Sequence, residues 1–350
     1  MQFEPNWLPL AVGSVPHIDV AQAWAAVLRC FPATPLWPQL PRRASLESMY
    51  AQYSERFPGI MIEGERLYVD RRQDLDPGLE RLYLAYLSDD LNYGSTSPEY
   101  AAGLAALLDG RVTLPQSPRL IKGQVTGPVS WGLTVTDQNR RPILYDDVLA
   151  DAVSKHLRLK AAWQQRVLAG LGAPTIIFVD EPYLSAYGSA LIAIGREQVV
   201  RYLQEVLAGI PGLKGVHCCG NTDWSILLET PLDILSLDAY DYAGSLALYP
   251  QEVTAFLERG GSIAWGIVPN TDAANAETAE SLSARLEEAL AALAAKGVPR
   301  ERLQQQGLVT PACGTGSLEV ALAERVLELT GQVSAMMQAR YCTPAAPAAE

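Results

Sequence analysis

The stretch TIIFVDEP, from Thr175 to Pro182, decides how the rest of the chain is read. Thr175–Val179 is wholly β-branched or aromatic, which predicts a strand. It closes on Asp180 and Glu181, so the apolar run gives way to carboxylates at its far end. Seven other runs predict strands: Leu8–Ser14, Ala33–Pro38, Arg119–Gly127, Gly212–Gly220, Asp233–Tyr240, Gly261–Pro269 and Gly307–Gly314. Helical patterns lie between them. The clearest has Leu282, Leu286, Leu290 and Leu293 at helical spacing, with Gly297 where a C-cap belongs. A long helix is predicted over Tyr145–Gly170 with Gly172 as its stop, and a closing helix over Leu318–Leu329.

Strands alternating with helices predict the α/β class, and eight of them predict a (β/α)8 TIM barrel. Strands two and three are separated by about 80 residues, read as an insertion spanning about 58–108. Within it, GIMIEGERLYVD predicts a β-hairpin, and Leu79–Tyr86 and Glu99–Leu108 predict helices. A separate small domain is the alternative. The expected organisation is one catalytic barrel over residues 1–340 and a flexible Pro/Ala-rich tail over 341–350.

Composition narrows the function classes. The chain has 350 residues, 49% of them hydrophobic and 19% charged, which suits a large core and excludes a disordered chain. A net charge of −12 without a basic patch argues against nucleic acid. No apolar run approaches the roughly 20 residues of a membrane helix. The N-terminus lacks a signal-peptide pattern, and five cysteines do not make a disulfide framework, so a cytoplasmic protein is expected.

Barrel active sites lie at the carboxyl ends of the strands. The predicted ends carry Gly13-Ser14, Asp180-Glu181, His217-Cys218-Cys219, Asp238 and Cys313. Residues two apart on an extended segment face the same way, so His217 and Cys219 can reach one ion while Cys218 points away. Cys313 arrives from strand eight. Two thiolates and an imidazole suit zinc and leave a fourth position open, as in catalytic zinc sites. The competing explanation is packing alone, since free cysteine buries well. Of the remaining soft ligands, Cys30 is expected in the core, Cys342 in the tail, and His156 on the surface. His17 is expected either at the mouth or in an ordinary loop.

The segments LAVGSVP, VTGPVSW, IIFVDEP, VHCCGN, LSLDAYD and LVTPACGTGS occur in an order and spacing that resemble the C-terminal catalytic barrel of cobalamin-independent methionine synthase, in its short single-barrel form. The wider superfamily includes uroporphyrinogen decarboxylase and methylcobalamin:coenzyme M methyltransferases. The resemblance runs from about Leu8 to Leu329 and implies a zinc-dependent methyltransferase that makes methionine from homocysteine. It implies zinc on His217, Cys219 and Cys313. Asp238 stands where the family has a glutamate ligand, and Asp241 is a nearby substitute. It further implies homocysteine held by Gly13, Ser14 and Asp180, with Glu47 nearest to a second family carboxylate.

Full-length synthases carry another barrel that helps bind folate, for which this chain has no room. Methylcobalamin on a corrinoid protein is therefore the expected donor. The insertion and the loop TVTDQNRRPILYDD are candidates for its docking face. Two other functions stay open: methylation of another thiol such as coenzyme M, and a non-catalytic zinc-binding barrel. The decarboxylase branch fits poorly, because its arginine-rich N-terminal signature is missing.

Overall fold

Nine strands form in the computed structural model, which describes residues 3–64, 66–189 and 192–342. They are β1 (Ile60–Glu63), β2 (Arg66–Val69), β3 (Ile121–Thr126), β4 (Thr136–Asp137), β5 (Thr175–Asp180), β6 (Leu213–Cys218), β7 (Ile234–Asp238), β8 (Ser262–Val268) and β9 (Gly307–Pro311). Six of them build one parallel sheet in the order β3-β5-β6-β7-β8-β9. Helices follow the strands, and β3 and β5 are buried along their whole length, as a sheet covered on both faces requires.

The inner face of this sheet changes character along the strands, with a period of two. It reads Ile176-Phe178-Asp180 on β5, Ile234-Ser236-Asp238 on β7 and Leu308-Thr310 on β9. Leu8, Leu10, Leu120, Ile176, Phe178, Ile234, Ala264 and Leu308 pack into an apolar floor. The polar residues therefore collect at the carboxyl ends. Gly215 fits here because a Cβ would lie 2.5 Å from the Phe178 ring. The opposite faces join the large outer core, which includes Cys218, Val179 and Leu237.

The first two predicted strands are reduced to isolated bridges. Pro9 pairs with Val309, Ser14 with Gln39 and Leu36 with Lys122, all parallel. Leu10 N donates to Val309 O at 2.8 Å, Gln39 N to Gly13 O at 3.1 Å, and Lys122 N to Pro35 O at 2.9 Å. Prolines explain the shortfall: Pro9, Pro35 and Pro38 lack the N–H that a continuous ladder needs.

The insertion contains the predicted hairpin, with Ile60 opposite Val69 and Glu63 opposite Arg66. β4 then adds to β2 in parallel, so the insertion and the loop after β3 form one three-stranded sheet. Helices occupy Asp76–Leu87 and Ala102–Leu108. The helix carrying Leu282, Leu286, Leu290 and Leu293 spans Ala279–Ala295 with all four buried, and Gly297 beyond it has φ +97°. The closing helix is longer than expected, Val320–Tyr341. It continues through Gly331 because Ser334 Oγ donates to Trp7 O at 2.6 Å and Arg340 pairs with Glu287 at 2.9 Å. Of the expected tail, Tyr341 belongs to this helix, and 343–350 lie outside the described residues.

His156 corrects the surface expectation. It is fully buried on the helix Asp147–Ala169, with Nε2 2.7 Å from Tyr53 O. Residues before and within the insertion cover that helix face. Lys160, one turn on, donates to Ser95 O at 2.9 Å. His17 is also buried and pairs with Glu324 on the closing helix at 3.2 Å. Among the described residues, no helix is long and apolar enough to cross a membrane.

Candidate metal centre

β6 delivers His217 and, one residue past its end, Cys219; the loop after β9 delivers Cys313. Their ligand atoms all lie within 4.8 Å of one another. A tetrahedral zinc site places such atoms roughly 3.5–3.8 Å apart, so small side-chain adjustments complete it. Cys218 is fully buried in the outer core and directs its Sγ to Gly220 O at 3.5 Å.

His217 is oriented for the cluster. Its Nδ1 lies 2.9 Å from Ser236 Oγ on the next strand, where the two residues are in register. Its Nε2 is buried without a hydrogen-bond partner. An orphaned imidazole nitrogen beside two thiols is the donor set zinc takes. One of the two thiols is poised for it: contact with Cys313, and with His217, holds the Cys219 thiol far below its ordinary range. The same contact, with burial, pushes Cys313 up. The Ser236 contact yields a prediction. Ser236→Ala is expected to weaken zinc binding about 10–100-fold, as loss of such a supporting partner typically does. Competition with a chromophoric chelator measures this, and unchanged affinity would show that the serine does not support the ligand.

Asp238 is not part of the ligand cluster. It is the N-cap of the helix Ala239–Leu246, with Oδ1 accepting from Asp241 N at 3.0 Å. Burial pushes its carboxyl up to about 6. Asp241 is exposed and also outside the cluster.

The three ligand residues line a cavity of about 250 Å³ together with Ser14, Glu47 and Asp180. This is smaller than the roughly 300–1,000 Å³ of drug-sized sites. Asp180 Oδ1 and Glu47 Oε2 are buried without hydrogen-bond partners. Burial pushes Asp180 up to about 6 and raises Glu47 from its ordinary range, although Arg43 binds the other Glu47 oxygen at 2.5 Å. Each carboxylate therefore keeps one oxygen free to accept a hydrogen bond.

Gly13 is not among the lining residues, but it shapes the wall. Its φ is +152°, and a Cβ there would lie 2.5 Å from Gln39 Oε1. Ser14 ties this turn to the Cys313 loop: its carbonyl accepts from Thr315 N at 2.9 Å and its Oγ from Gly316 N at 3.3 Å. Glycine at 314 permits the approach, since a Cβ would meet Ser14 Oγ at 2.4 Å.

Glu181 is structural. Its carboxylate accepts from Val129 N, Ser130 N and Ser130 Oγ at 2.6–2.9 Å and fixes the turn after β3. Sequence reasoning missed Ser236 and the buried Lys122 of β3. Both are polar residues at inward positions of buried strands, a signal that the period of two contains.

No protein-family description and no curated protein matches this sequence. Among solved structures, the chain is similar to a B12-independent methionine synthase from Shewanella sp. W3-18-1, solved in complex with selenomethionine. The identity is 16%, the match covers 96% of this chain and 95% of that one, and the TM-score is 0.55. It is also similar to a methyltransferase from Methanosarcina mazei at 13% identity, over 96% and 94% of the two chains, with a TM-score of 0.57. At these identities the likeness is one of fold, and the chain shares that fold with both proteins over nearly its whole length.

Proposed function

We propose that the chain is a zinc-dependent methyltransferase that methylates the thiol of homocysteine to form methionine. The observation that carries this reading is one cavity holding His217 Nε2, two thiols, and the unpartnered oxygens of Asp180 and Glu47. The fold is read as a single (β/α)8 barrel over residues 1–340, its first two strands shortened to the bridges at Pro9, Ser14 and Leu36. Residues 58–108 decorate it.

In this reading His217, Cys219 and Cys313 hold zinc, and Asp238 stays a helix cap. A zinc ion bound there supplies Lewis acidity that brings a thiol pKa into the neutral range. Asp180 and Glu47 receive the substrate ammonium, and the Gly13–Ser14 turn receives its carboxylate. These contacts fix the sulfur for in-line attack. The sulfur gives its proton to solvent and forms the S–CH3 bond, while the bond between methyl and carrier breaks and its electron pair stays with the carrier. Methylcobalamin on a corrinoid protein is the proposed donor. The free oxygens of two buried carboxylates on the cavity wall disfavour an anionic thiol such as coenzyme M.

The test is a methyl-transfer assay with homocysteine and with coenzyme M, each supplied with methylcobalamin or methyltetrahydrofolate. Methionine formation from methylcobalamin is expected. Turnover of coenzyme M without homocysteine would overturn the substrate assignment.

A further inference from the structure

Lys122 is a buried cation in the interior of the parallel sheet, 2% exposed. Its Nζ donates to Val12 O at 2.6 Å and to Gln124 Oε1 at 3.1 Å, and lies 4.8 Å from the centre of the Phe178 ring. Burying an ammonium costs several kcal/mol, so a residue kept here for packing alone would be better apolar. Burial lowers its pKa only to about 8, so it remains charged at neutral pH.

The contact with Val12 has a directional consequence. Val12 lines both the small void beneath the site and the substrate-sized cavity above it. In a planar trans peptide the C=O and the following N–H point in opposite directions. The Val12 carbonyl is tied down to Lys122, so the Gly13 N–H points away from that contact, between two residues, Val12 and Ser14, that line the cavity. Gly13 permits this because its φ of +152° suits glycine, and it packs so closely that a Cβ would lie 2.9 Å from Gln124 Cδ. Lys122 thus holds the peptide from below both directly and through Gln124.

We propose that Lys122 is a positioning residue for the carboxylate of an amino-acid substrate: it orients the Gly13 N–H as a donor and places a buried positive charge beneath that end of the cavity. The inference rests on the homocysteine reading and deepens it, because it makes the site select thiols that carry a carboxylate. A cation below the turn attracts the carboxylate directly. It also holds the Asp180 carboxyl down, so its removal reaches the ammonium end only through Asp180, and the amine thiol reads that second effect.

The experiment compares the affinity of the zinc-loaded protein for homocysteine and for 3-mercaptopropylamine, which is homocysteine without its carboxylate, by titration calorimetry. For Lys122→Met, homocysteine binding is expected to fall at least tenfold while 3-mercaptopropylamine changes less than threefold, with zinc content unchanged. Lys122→Gln keeps a donor for Val12 and removes the charge; its homocysteine loss is expected to be smaller but in the same direction. It also serves if the methionine variant does not fold. Equal losses for both thiols, or zinc loss in step with homocysteine, would reduce Lys122 to a structural strut and overturn the proposal, as would no loss for either thiol. Wild-type protein that binds zinc but not homocysteine would sink the substrate reading and this inference together. Selective loss confined to homocysteine supports both.

Discussion

Replacing Cys313 with alanine is expected to abolish stoichiometric zinc binding and methyl transfer together. On the proposed reading Cys313 supplies one of three protein ligands, and it comes from the loop after β9, far in sequence from His217 and Cys219. Structural zinc sites bind with apparent free energies of about 10–16 kcal/mol, so one ligand of three is worth roughly 4 kcal/mol, or on the order of 10³-fold in affinity. Cys219→Ala should match it. Cys218→Ala serves as the control, because its sulfur lies in the outer core. That variant should lose some stability and keep its zinc. Metal analysis after gel filtration reads all three. Full zinc retention in both ligand variants would show that the cluster is an ordinary pair of core thiols.

The second large effect falls on Asp180. Asp180→Asn should lower kcat/KM for homocysteine by about 10²–10³-fold, because breaking a buried ion pair costs roughly 3–5 kcal/mol. The asparagine keeps the shape and removes the charge that an ammonium needs. The loss should appear mainly in KM. It should be small for 4-mercaptobutanoate, which lacks the amino group. Steady-state kinetics on the two thiols separates the roles. An equal loss on both would mean that Asp180 shapes the cavity without receiving an ammonium.

The sequence exposes the six strands of the parallel sheet because each is a short run rich in β-branched or apolar residues, most clearly TIIFVD and ILSLD, which close on carboxylates. Thr175–Asp180 matches its expected start and lies within its expected span. The segments Leu8–Ser14 and Ala33–Pro38 carry the same apolar signal, but their prolines limit them to bridges. The His217–Cys219 half of the cluster follows from alternation: these two share a face, and Cys218 does not. The position of Glu47 could not be read this way, since it sits in a short 3-10 turn, Ser45–Glu47, far from any strand end. Its place in the cavity depends on how the chain after strand two folds back.

His156 shows the opposite error. His156 sits between Lys155 and Arg158, which reads as a surface position, yet it shares one helix face with Lys160 and Gln164. All three are buried, and each meets a fixed partner: Tyr53 O, Ser95 O and Gln124 N. A polar stripe is a surface only when nothing folds over it, and here the chain between strands two and three does.

Zinc K-edge X-ray absorption, with and without homocysteine, tests the central claim most directly. The account predicts two sulfur ligands and one imidazole from the protein, and a third sulfur when homocysteine is added. A sulfur count that stays the same on addition of homocysteine would contradict it.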